Sequence, residues 1–151
     1  MDSTSNRPSP LSEPVIEALI DFWAQTGREH EVDVRGNSMW PLVRDGDKAR
    51  IAHGLGKLKR GDVVAYQRNG ELVVHRLIRI VHGAGEPRFL IKGDNVSGYD
   101  PTVPASRVLG RVVALQRSGK WRRLDTLLMR AIGWTVATIT LAKFMLQWLF
   151  R

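Results

Sequence analysis

The chain has no cysteine in its 151 residues. That excludes disulfides, zinc–thiolate sites and thiol nucleophiles, and it leaves the redox compartment open. Aromatic residues are scarce at 7%, and few fall within strand-like stretches. The stacking platform of a single-strand nucleic-acid binder is therefore missing, and no nucleic-acid partner is expected. There is no Gly-rich phosphate loop and no 20–50-residue repeat, and the four histidines lack metal-ligand spacing. No cofactor and no metal are expected. The opening dozen residues are polar, which is unlike a secretory signal. Acidic residues number 15 against 23 Lys and Arg, a formal charge of +8. Such a balance suits nucleic acid, anionic membrane surfaces or acidic ligands. At 43% hydrophobic residues, the composition is that of a folded domain.

Residues 1–12 (MDSTSNRPSPLS) read as a disordered leader. Ser12 is a capping candidate for an amphipathic helix over 13–27, with Val15, Ile16, Leu19, Ile20, Phe22 and Trp23 on its apolar side. From 31 to 121 the signals are those of short strands, expected at 31–35, 48–52, 62–67, 71–81, 88–92 and 107–116. Asn69-Gly70 between two β-branched runs predicts a two-residue hairpin pairing Arg68 with Glu71, Tyr66 with Val73 and Val64 with His75. The fold class is thus mainly β, a curled sheet or partial barrel. His30, His53 and His82 read as surface residues. The segment 122–151 reads as a hydrophobic helix, in which only Lys143 is charged between Ala131 and Phe150. About twenty helical residues span roughly 30 Å, the thickness of a bilayer core, so residues 131–150 are a candidate membrane anchor. Thr126, Arg130, Gly133, Thr140, Lys143, Gln147 and Arg151 form a narrow polar stripe along it. That stripe suits a spanning helix with a polar side, an interfacial helix or one packed on the domain.

Ser38 stands two residues after Gly36 and three before Pro41, with Asp45-Gly46-Asp47 closing the segment. Turn-forming residues on both sides mount the serine on a tight, non-helical bend. A serine hydroxyl needs a base within hydrogen-bond reach to act as a nucleophile, and that base needs an orienting group. His75, deep in the second hairpin strand, is the candidate base. Asp94 and Asp100, which flank the loop Lys92-Gly93-Asp94-Asn95-Val96-Ser97-Gly98-Tyr99-Asp100, are both candidate acids.

Gly36-Asn37-Ser38-Met39-Trp40-Pro41, Asp45-Gly46-Asp47, Gly61-Asp62-Val63-Val64, His75-Arg76 and Lys92-Gly93-Asp94-Asn95 together resemble the type I signal peptidase superfamily, which includes the self-cleaving repressor proteases. The resemblance covers about residues 32–115. Where bacterial signal peptidases carry Lys-Arg, this chain has His75-Arg76, which is similar to the endoplasmic-reticulum and archaeal type. The resemblance implies a serine endopeptidase with Ser38 as nucleophile and His75 as general base. It also implies Asp100 as orienting acid, Asp94 being the alternative or supporting acid. The implied substrate is a peptide or preprotein bound as an extended strand, with small side chains before the cleaved bond. Relatives carry their membrane helix before the serine, whereas here the candidate anchor follows the domain. The basic residues on the domain side of that helix imply a catalytic domain on the cytoplasmic side of the membrane. A specialised processing peptidase is expected. The competing readings are a catalytically silent membrane-bound scaffold and a small basic β-barrel that binds nucleic acid. A self-cleaving repressor would need a DNA-reading domain and a lysine base.

Overall fold

The hairpin around Asn69-Gly70 forms as its sequence dictates. In the computed structural model, which describes residues 13–54, 58–99 and 101–149, β3 (Val63–Arg68) pairs with β4 (Glu71–Val81). The register is Arg68–Glu71, Tyr66–Val73 and Val64–His75. Asn69 and Gly70 both adopt positive φ, +52° and +75°, as a type I′ turn requires. Before the hairpin, α1 (Glu13–Thr26) is followed by β1 (His30–Asp33) and β2 (Lys48–His53). After it come β5 (Arg88–Lys92), β6 (Val103–Pro104), β7 (Val108–Arg117), β8 (Lys120–Arg123) and α2 (Leu127–Leu149). The leader over 1–12 and the Ser12 cap lie outside the described residues.

The eight strands form one antiparallel sheet in the order β1-β2-β7-β3-β4-β5-β6, with β8 paired to β7. It is curled but not closed. Irregular register at Arg50/Ile51, Ala65/Tyr66 and Leu77/Arg79 adds the local bends that curl it. Curling buries β3 on both faces. Val63 and Ala65 enter one apolar cluster with Met39, Ile51 and Val112. Val64 and Tyr66 enter another with Leu77, Phe89 and Ile91.

Two expectations are corrected. Residues 122 and 123, expected to open the C-terminal helix, instead belong to β8. Ser118 and Gly119, both at positive φ, turn the chain back so that β8 pairs with the end of β7. The hydrophobic helix accordingly begins at Leu127. His30 and His53 are half-buried rather than free on the surface. The His53 Nδ1–H donates to the Leu109 carbonyl at 3.1 Å, and Nε2 lies 3.2 Å from His30 Nδ1. Trp23 of α1 stacks 4.1 Å from His30, so this group pins α1 to β1 and β2. Burial pushes the His53 pKa down, the main cause being desolvation.

α2 is long and apolar enough to cross a membrane, and it also packs on the domain. Gly133 and Ala137 are buried. The Tyr99 hydroxyl donates to the Thr140 carbonyl at 2.8 Å, and the Tyr99 and Phe144 rings stack 4.7 Å apart. Of the polar stripe, Gly133 and Thr140 are turned to the domain. At the closest approach Gly61 and Gly133 touch through their backbones: a Cβ on Gly133 would meet the Gly61 carbonyl oxygen at 2.5 Å.

The bend that carries Ser38 is fastened from below by Asp47, which is 3% exposed. Its carboxylate accepts hydrogen bonds from Arg117 Nε and Nη2 at 2.9 and 2.6 Å and from the Arg44 N–H at 2.9 Å. The Arg117 hydrogen bonds, outweighing desolvation, hold the Asp47 pKa below the ordinary carboxylate value. A carboxyl with a lowered folded pKa stabilises the fold above its unfolded pKa of about 3.9. That contribution disappears as pH falls through the folded value. The urea midpoint is therefore expected to fall as the pH is taken from 6 to below about 4, and to fall less for Asp47→Asn. Equal pH slopes for the two proteins would contradict this role.

Candidate functional site

Ser38 and His75 come together. Ser38 Oγ lies 3.0 Å from His75 Nε2, within hydrogen-bond distance of a nucleophile–base pair. The two residues arrive from opposite directions. His75 is brought by the hairpin register, paired to Val64 in the buried part of β4, and is itself buried. Ser38 is brought by its bend, where the Trp40 N–H donates to the Asn37 carbonyl at 3.1 Å and the Val43 N–H to the Met39 carbonyl at 3.1 Å. Met39 plugs this bend into the core, while the neighbouring Trp40 stays exposed. The Trp40–Pro41 peptide bond is cis.

The loop after β5 clamps the pair. The Asn95 N–H donates to the Ser38 carbonyl at 2.8 Å, and the Asn95 side chain donates to the Asn37 carbonyl at 3.1 Å. Gly93 lies against both residues. A Cβ there would meet the Ser38 carbonyl oxygen at 2.7 Å and His75 Nε2 at 3.1 Å, so only glycine lets the loop close this far.

The two candidate acids differ in what the structure describes. Both carboxylate oxygens of Asp94 are taken by Arg76, whose Nε and Nη2 donate at 2.8 and 2.6 Å. The Arg76 side chain is 4% exposed, and its Nη1 donates to the Gly61 carbonyl at 2.8 Å. Asp94 thus ties the loop to β4 through the residue next to the histidine. Asp100 lies outside the described residues. Its neighbour Tyr99 lines the groove that opens at Ser38.

A residue missed by sequence reasoning stands behind the histidine. Tyr66, fully buried, places its hydroxyl 3.4 Å from His75 Nδ1. When Nε2 accepts the serine proton, Nδ1 carries the ring hydrogen and points to the Tyr66 side. The signal was present in the hairpin, because Tyr66 opposite Val73 is the diagonal neighbour of His75 on the same face.

Ser38 and His75 sit on the wall of a groove of about 1050 Å³. One side is β1 and the chain after it, with Val32 and Val34. The other is the start of β4, with Leu72 and Val74. β1 is an end strand of the sheet, and β5 pairs with β4 only from Arg76 onward. The groove therefore lies between two strand edges, a shape that fits an extended peptide.

A family model described as Peptidase S24-like matches residues 14–113, about two thirds of the chain. The chain belongs to the S24-like peptidase family. The matched S24-like region runs from α1 into β7 and contains the bend, the hairpin and the clamping loop. No curated protein matches the chain.

Proposed function

We propose that this S24-like protein is a serine endopeptidase of signal-peptidase type that cleaves an extended segment of a peptide or preprotein substrate. The observation that carries the reading is the 3.0 Å contact between Ser38 Oγ and His75 Nε2 at the wall of the groove. The substrate strand lies between β1 and β4. Ser38 Oγ attacks the carbonyl carbon while Nε2 takes its proton, forming the C–O bond of a tetrahedral intermediate. The Ser38 backbone N–H meets the oxyanion. As the intermediate collapses, the C–N bond breaks and His75 gives its proton to the leaving amine. Water, deprotonated by His75, then cleaves the acyl ester and restores the serine. Asp100 is the acid that orients His75 and stabilises its charged form. The engagement of Asp94 by Arg76 supports this choice over Asp94. With a histidine base, the enzyme belongs to the Ser-His-Asp branch of its superfamily and acts as a specialised processing peptidase.

The test is cleavage of a peptide library by the full-length protein, followed by mass spectrometry. Wild type is compared with Ser38→Ala, His75→Ala, Asp100→Asn and Asp94→Asn. Cleavage should be lost in both Ser38→Ala and His75→Ala, because the serine needs its base. Undiminished cleavage by His75→Ala would remove the histidine from this role.

A further inference from the structure

Among the described residues, the docking of α2 leaves one side of the helix without a partner. Gly133, Ala137, Thr140 and Phe144 form the docked side, spaced four, three and four residues apart. The opposite side presents Leu128, Ile132, Ile139, Leu146 and Leu149, all exposed, Leu128 at 70%. Two threonines share that outward side, and both hydroxyls are satisfied inside the helix. Thr135 Oγ1 donates to the Ala131 carbonyl at 2.9 Å, and Thr138 Oγ1 donates to the Trp134 carbonyl at 2.8 Å. The outward side thus asks nothing of water. Trp134 and Trp148, also exposed, stand at its borders, where amphipathic rings meet headgroups.

The charge of α2 itself has one sign. α2 contains Arg130 and Lys143 and no acidic residue. Lys59 and Arg60 line a shallow cleft with Leu127, Arg130 and Trp134. The acid of that cleft, Asp62, is buried, accepts the Lys59 backbone N–H at 2.8 Å and lies 4.0 Å from Arg111 Nη1. A second copy of the helix would bring like charges together. An anionic lipid surface complements them.

We propose that the outward side of α2 binds an anionic bilayer with the helix axis in the membrane plane, the docked side remaining on the domain. Length sets the orientation. The docked stretch from Gly133 to Phe144 takes up roughly 16 Å of helix. The stretches left at either end are far shorter than the ~20 residues a crossing needs. Lying flat, the helix keeps its contacts with Tyr99 and Gly61 and still buries its apolar side. Tyr99 touches α2 and also lines the groove, so this arrangement puts the opening at Ser38 beside the lipid surface.

The test uses the full chain with vesicles of phosphatidylcholine alone or mixed with phosphatidylglycerol. Co-sedimentation with the mixed vesicles is expected, weakening several-fold between low and physiological salt. Ile139→Glu should lose at least tenfold in binding with an unchanged melting temperature. The absence of native cysteine allows a thiol to be placed near the far end of the helix as Gln147→Cys. Flat binding leaves that thiol reactive to an impermeant maleimide added outside the vesicles, whereas a crossing helix carries it into the lumen. Protection of the thiol would overturn the flat orientation. Equal, salt-insensitive binding to both vesicle types would overturn the anionic requirement. No vesicle binding together with a dimer in sedimentation velocity, disrupted by Ile139→Glu, would assign the surface to a second copy instead.

Discussion

Ser38→Ala is expected to reduce peptide cleavage on the order of 10⁶-fold, to the level supplied by substrate binding and the oxyanion donor alone. No other group in the arrangement proposed above replaces the oxygen that attacks the carbonyl. His75→Ala should cost about as much, because a serine without its base is a poor nucleophile at neutral pH. The double variant should be hardly worse than either single one, since both residues serve one step. Ser38→Ala should keep its fold: Ser38 is only partly buried, and its structural contact runs through its main-chain carbonyl, which accepts the Asn95 N–H. Single-turnover cleavage of a library-selected peptide measures the loss. Undiminished cleavage by Ser38→Ala at wild-type melting temperature would rule out the serine mechanism.

The largest effect on stability is expected at Asp94. Asp94→Ala leaves the Arg76 guanidinium, 4% exposed, without its carboxylate partner. Breaking such a pair on one side costs roughly 3–5 kcal/mol, a fall in melting temperature on the order of 10 °C for a domain of this size. Asp94→Asn should lie between this variant and wild type, because the amide oxygen still accepts one hydrogen bond. Asp100→Asn should behave in the opposite way, losing on the order of 10⁴-fold in rate with little change in melting temperature. Melting curves and cleavage rates on the two asparagine variants separate the roles. Loss of activity without loss of stability at Asp94, and the reverse at Asp100, would exchange the two assignments.

How far the sequence could be read depended on whether a signal was local. The hairpin was legible because alternation and the Asn69-Gly70 turn act within a dozen residues, and it carried the depth of His75 and its pairing with Val64. The same turn chemistry recurs at Ser118-Gly119, yet β8 was hidden because Lys120, Arg122 and Arg123 look like the basic flank of the following apolar helix. β6 is two residues long, too short for a period to show. The pairing of His30 with His53 is a tertiary contact 23 residues apart, with no pattern in either neighbourhood. In the site, the bend and the histidine were legible from motif wording. What Asp94 does was not, because its partner Arg76 is chosen by how the loop after β5 folds back on β4. The helix α2 was recognised by its apolar run, but its polar stripe meant three things until Gly133 was seen against Gly61.

That backbone contact has a mechanical consequence. Moving α2 along its axis by one turn would bring Arg130 or Ala137 to the place of Gly133, and each carries a Cβ where the Gly61 carbonyl leaves no room. The helix is keyed at a single axial position and cannot ratchet. Gly61 precedes β3, whose partner strand holds His75, so the key also sets the height of the Ser38–His75 pair above α2. On the readings proposed here, the enzyme is a fixed-length ruler: a bond is cut when it stands at the right distance from the lipid surface, and widening the joint with Gly133→Ala would move the cut along the substrate as well as loosen the helix.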